Sequence, residues 1–156
     1  MHEVRDGTRT LRFEGDKLAS ASSWRQGSGR WIEFDLYKTK AGSYILARVG
    51  VSQVFHSSVC PLVSKYGLHE GHVTELSTTN IPCEVCRPDA SDPIVFPEKF
   101  RYWTLVSEDP EAVLDALYKK DDYGARYLTN VAQRLLEEAS SNDTEIDMAY
   151  NLEIIL

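Results

Sequence analysis

The stretch 54–89, VFHSSVCPLVSKYGLHEGHVTELSTTNIPCEVCRPD, holds all three cysteines of the chain and constrains the rest more than any other segment. His56 and Cys60 are separated by three residues, Cys83 and Cys86 by two, and 22 residues lie between the pairs. Two closely spaced pairs of soft or borderline donors are what a tetrahedral Zn2+ needs when a short turn supplies each pair. The spacing therefore predicts a closed Cys3His site made of His56, Cys60, Cys83 and Cys86. Closing the intervening loop costs on the order of a few kcal/mol, whereas structural zinc binding is worth roughly 10 to 16 kcal/mol. A metal can thus fix a loop too polar to fold by itself. His69 and His72 lie in that loop and are alternative ligands to His56. Free core thiols are the plainer reading of the same cluster.

The stretch resembles the Ada-type zinc module of bacterial DNA-alkylation response proteins over residues 54–89. His56, Cys60, Pro82, Cys83, Cys86 and Pro88 match its pattern in place or in kind. Ile81 stands where that family has arginine, and His56 where it has its first cysteine. The resemblance implies a zinc fold whose relatives contact DNA. It does not imply the family's methyl transfer, because an imidazole cannot act as the zinc-bound thiolate that accepts the methyl group. Pro82-Cys83-x2-Cys86 also matches half of a zinc deaminase signature. The other half is missing: Glu70 follows His69 directly, and Glu75 lies three residues after His72. A Cys60 nucleophile paired with His56 has no evident third residue to orient it. No catalytic residue is assigned, and a noncatalytic protein is expected.

A length of 156 residues with 42% apolar and 26% charged content fits one globular domain able to bury a core. An odd number of cysteines absorbed by a metal pattern fits a reducing compartment. No run of signal or membrane-span length is present, so a cytoplasmic location is expected. The net charge of −7 is uneven: +3 over residues 1–53, −2 over 54–105 and −8 over 106–156. Only the first third offers the basic face a nucleic-acid binder needs, and the acidic last third is either a solvated helical face or a partner surface.

The sequence predicts an α+β fold in a single domain: an antiparallel β meander over 1–53, the zinc module over 54–89, then a strand and helices over 100–156. Thr10–Phe13 and Leu18–Ala21 flank Gly15-Asp16, a hairpin signal. Trp31–Tyr37 alternates, with Ile32, Phe34 and Leu36 on one face, and Tyr44–Val49 follows a turn of small residues. Val51–His56 is read as a strand delivering His56 to the metal. Between the early strands, the loop Ser22–Arg30 carries Trp24, Arg25 and Arg30. With Arg87, these are candidate nucleic-acid contacts, arginine pairing with phosphate and indole stacking on a base; a solvated hairpin loop is the plainer reading. Asp89, Asp92, Pro93 and Pro97 mark a linker, and Phe100–Val106 reads as a strand. Asp109-Pro110-Glu111 starts a helix expected to reach Lys119-Lys120, with Val113, Leu114, Leu117 and Tyr118 as its apolar stripe. After Gly124 a second helix is expected over about 125–139, with Leu128, Val131, Ala132, Leu135 and Leu136 at helical spacing. Asn142-x2-Glu145 can cap a last helix or turn, and Leu152, Ile154, Ile155 and Leu156 form an apolar tail.

Two functions follow: a zinc-stabilised intracellular interaction module, regulatory or adaptor in kind, that meets a protein partner through its acidic last third, or a DNA- or RNA-binding protein.

Overall fold

The computed structural model describes residues 1–62, 81–87, 91–92, 94–95 and 100–152. Its architecture is α+β, as the sequence predicts. The chain packs as two compact units: Met1–Ser23, Ile32–Val49 and Tyr102–Leu156 form the first, and Trp24–Trp31 with Gly50–Arg101 the second. Among the described residues, no helix is long and apolar enough to cross a membrane.

The first unit is built on a four-stranded sheet of order β3-β4-β5-β9, from strands Gly15–Ser22, Arg30–Thr39, Tyr44–Ser52 and Phe100–Ser107. Alternation sends Phe34, Leu36, Tyr44 and Leu46 to one face. There they meet helices α1 (Pro110–Leu117), α2 (Asn130–Asn142) and α3 (Thr144–Asn151), which contribute Val113, Leu114, Leu117, Leu135, Leu136 and Ile146. The other face, which alternation alone leaves to solvent, is also covered. A hairpin of β1 (His2–Asp6) and β2 (Arg9–Phe13) packs Val4, Leu11 and Phe13 against Tyr37, Ile45 and Ala47. Phe13 meets Tyr37 edge-on, with centroids 5.0 Å apart, and Thr104 Oγ1 donates to the Arg5 carbonyl at 2.7 Å.

Gly15-Asp16 is not the predicted hairpin turn. It opens β3, with Gly15 opposite Thr39, and the turn lies instead at Gly7-Thr8 between β1 and β2. The alternation of β3 breaks at a bulge between Lys17 and Ala19. Lys17 pairs with Tyr37 on the hairpin side, whereas Ala19 and Ala21 pair with Leu36 and Phe34 on the helical side. As the edge strand, β3 would leave backbone groups open to stray pairing, and α2 covers them. Asn142 donates to the Leu18 carbonyl at 2.8 Å, Glu138 accepts from the Ser20 N–H at 3.1 Å, and Arg134 donates to the Ser22 carbonyl at 2.6 Å.

The first helix begins as predicted, with Asp109 accepting from the Glu111 N–H at 2.9 Å and Pro110 in its first turn. It ends at Leu117, short of Lys119-Lys120, which pair with Arg126-Tyr127 as a small hairpin. The reason is local: Asp121 Oδ1 accepts from the Tyr123 and Ala125 N–H groups, and Gly124 takes φ +81, a left-handed value few residues other than glycine adopt. The second helix therefore starts later than expected, behind Thr129, whose hydroxyl accepts from the Ala132 N–H. The linker read at 89–97 contains a strand, β8 (Ile94–Val95).

Asp143 ties α3 to the sheet. Its carboxylate caps α3 at the Ile146 N–H (3.1 Å), accepts from the Tyr44 hydroxyl (2.5 Å) and pairs with Lys38 Nζ (2.8 Å). Burial alone would raise this carboxyl, but the hydrogen bonds from Lys38, Tyr44 and the Ile146 backbone outweigh it and hold it below the usual carboxylate range. Its contribution is therefore complete above the unfolded carboxyl pKa and lost as pH falls through the lower folded value. Replacing Asp143 with Ala removes a cap and two charge-assisted bonds, an expected loss of about 2–4 kcal/mol. Urea melts at neutral pH measure it; the difference between wild type and Asp143→Ala should shrink in acid.

Candidate metal centre

The second unit assembles its site on β6 (Val54–Ser57), the middle strand of a three-stranded sheet. On one side β7 (Ile81–Pro82) pairs with it in parallel, Val54 opposite Ile81; on the other β8 pairs antiparallel, His56 opposite Val95. The parallel ladder continues past β7 through the Cys83 N–H, which donates to the Phe55 carbonyl at 3.0 Å. That bond sets Cys83 beside His56, and the turn after Ser57, closed by the Cys60 N–H on the Ser57 carbonyl, returns Cys60 to the same place. Pairing that is distant in sequence thus brings the two halves of the motif together.

The ligand atoms of His56, Cys60, Cys83 and Cys86 all lie within 4.8 Å of one another, so the four residues can hold one metal ion. His56 Nδ1 is 3.4 Å from Cys60 Sγ, which is 4.0 Å from Cys83 Sγ. His56, Cys60 and Cys83 are buried and Cys86 half-buried. Val54, Leu62 and Ile81 pack around the sulfurs. His69 and His72, the alternative ligands, lie outside the described residues, as does Pro88.

The surrounding polar groups treat the donors unequally. Burial raises the Cys83 thiol, but the Cys86 and Val85 N–H groups outweigh it and hold Cys83 below the ordinary thiol value. Burial pushes the Cys86 thiol up to about 11, with the Cys60 and Cys83 sulfurs adding to it against the pull of the Ser57 N–H, 3.2 Å from Cys86 Sγ. Arg87, which closes the turn through its N–H on the Cys83 carbonyl, sits at φ +38, a value rare outside glycine.

Arg30 enters the centre in a role its sequence position does not suggest. Its Nη2 lies 2.7 Å from His56 Nε2, leaving Nδ1 turned to the sulfurs. A guanidinium only donates, so Nε2 accepts, and the uncharged ring then carries its proton on Nδ1, facing the Cys60 sulfur. Burial first, then the Arg30 charge, lowers the His56 pKa in the same direction. Metal-bound imidazoles usually donate their second nitrogen to an acceptor. To ligate through Nδ1 the ring would have to carry its proton on Nε2, so metal uptake would require Arg30 to give up this contact to an acceptor. Gly29 brings Arg30 in: a Cβ there would stand 2.5 Å from Val54 Cγ2. Ser57 and Asp92 also belong to the centre, Ser57 Oγ bonding Asp92 Oδ2 at 3.2 Å. Nothing in their local sequence signals this, since 35 residues separate them.

The other candidate contacts are in the same unit. Trp24 is 55% exposed, and Arg25 and Arg87 are exposed, whereas Arg30 is half-buried. Compared with family models, curated proteins and solved structures, the chain gives no significant match.

Taking up a metal displaces thiol protons, so the apparent affinity must fall as pH falls. Lowering the pH from about 8 to about 6 is expected to weaken binding at least tenfold, by competition with a metal indicator. Cys83→Ser and His56→Ala should each abolish stoichiometric metal in elemental analysis, while Glu84→Ala, at an exposed position beside the site, should retain it. Metal lost only on changing His69 or His72 would reassign the fourth ligand.

Proposed function

We propose that the chain is a noncatalytic, zinc-stabilised intracellular interaction module of regulatory or adaptor type. The observation that carries this reading is the convergence of four protein donors on one point. Four protein ligands fill a tetrahedral ion's coordination and leave no position for water or substrate, the arrangement of structural rather than catalytic zinc. The donor set favours zinc by its softness. Bonds of about 2.3 Å to sulfur and 2.0–2.1 Å to nitrogen at tetrahedral angles require S···S near 3.8 Å and N···S near 3.6 Å. The separations of 4.0 and 3.4 Å are close to these, in a set of donor atoms that all lie within 4.8 Å. The likeness to the Ada-type module agrees with the zinc, and His56 in place of the accepting cysteine removes methyl transfer from the reading.

A surface of the acidic last third supports a protein partner. Glu108, Glu111 and Glu145 line a depression of about 610 Å3 together with Met148 and Leu152, which are 56% and 60% exposed. Apolar side chains rimmed by carboxylates fit a partner segment that is apolar and flanked by lysine or arginine. Glu108→Lys combined with Met148→Lys tests this without touching Asp109 or Glu145, which have structural bonds. Proteins that co-purify with the tagged wild type from its native cells should be lost from the double variant. Their equal retention would overturn the proposed surface.

Nucleic-acid binding is a second reading, favoured by one observation: an exposed indole, Trp24, adjoins an exposed arginine, Arg25, in the unit that also presents Arg87. Stacking and phosphate pairing would then act together, with Arg30 contributing less because it engages His56. Affinity for single-stranded DNA or RNA should then fall steeply with salt and drop on Trp24→Ala. Absence of binding at low salt would remove this reading.

A further inference from the structure

In β5 the residues facing the helices run Tyr44, Leu46, Arg48. The first two are fully buried in the main core, and the row predicts a third apolar side chain. A half-buried guanidinium stands there instead, and among the described residues it makes neither an ion pair nor a hydrogen bond. Placing a charge against a core is costly unless an opposite charge meets it. Arg48 lines a cavity of about 440 Å3 that also takes Lys119, a second cation with no ion pair among the described residues. Phe34, Leu117 and the 39%-exposed Trp103 form apolar walls. Ser23 also lines it; its Oγ accepts from the Ile32 N–H at 2.8 Å, which leaves its own O–H to donate. The volume falls within the roughly 300–1,000 Å3 of small-ligand sites, and a few polar groups converging on apolar walls is their usual composition.

We infer that this cavity binds a small organic anion, a flat aromatic body carrying one carboxylate or phosphate. The aromatic body packs against Trp103, Phe34 and Leu117, and the anionic group lies with Arg48 and Lys119. Carboxylate and phosphate share the recognition chemistry, since a guanidinium fork pairs with either. Local charge selects for an anion: in a chain of net charge −7, these two cations have no carboxylate partner among the described residues and form a positive spot. All of these residues belong to the first unit, so the inference does not depend on the metal centre.

Calorimetric titration of the full chain with naphthoate, naphthyl phosphate and neutral naphthalenemethanol tests it. One-to-one binding of at least one anion is expected, with the neutral alcohol at least tenfold weaker; the tighter anion identifies the head group. Arg48→Gln and Lys119→Gln should each weaken the anion about tenfold, the loss expected for a charge-assisted contact. Trp103→Ala should weaken the anions and the alcohol alike. Should Arg48→Gln fail to fold, the exposed Lys119→Gln decides alone. No binding at millimolar anion, equal affinity for the alcohol, or indifference to Lys119→Gln would overturn the site.

Discussion

Three thiols and an imidazole crowded within 4.8 Å, most of them out of water, cannot all take whatever charge they please. Such a cluster has two acceptable states: protonated sulfurs, or thiolates gathered around a cation. The sulfurs are treated unequally, Cys83 being held below the ordinary thiol value and Cys86 above it. Backbone N–H groups turn towards Cys83 and Cys86, and a guanidinium rather than a carboxylate sits behind His56. Among the described residues, the apolar cluster around the sulfurs is Val54, Leu62 and Ile81 with the cysteines themselves.

The first unit is organised around the covering of its sheet. Its sheet has a helical layer on one face and the β1–β2 hairpin on the other, and the side chains of α2 occupy the open edge of β3. Asp143 joins these layers through Lys38, Tyr44 and the start of α3 in a single carboxylate.

What could be read from the sequence was local. Strand alternation at Trp31–Tyr37, helical spacing at Leu128–Leu136, the Asp109-Pro110 start and the paired metal-ligand spacing each need only a few residues of context. The structure contains all four elements and gathers the four proposed ligands. The failures have equally physical causes. Lys119-Lys120 left the helix because an aspartate side chain took over the backbone bonding of the following turn. Gly15 read as a turn residue because glycine is ambiguous between turn and close approach; here it faces Lys38 and Thr39 across the sheet. Arg30, Ser57 and Asp92 were invisible as members of the centre because long-range pairing places them there. The covering of the second sheet face was missed for the same reason, since nothing near Tyr37 announces the hairpin.

The bulge between Lys17 and Ala19 has a consequence for how such a chain can diverge. The residues before and after it are out of phase, so the single extra position allows Lys17 and Ala19 to look in opposite directions. Deleting that position would leave Lys17 and Ala19 as neighbours that still face opposite ways, but would remove Leu18, which is buried in the helical core, and its carbonyl, which accepts from Asn142. A change in length at this edge therefore costs a core side chain together with an edge bond. Related chains should keep the count between Gly15 and Ser22 and an apolar residue at position 18.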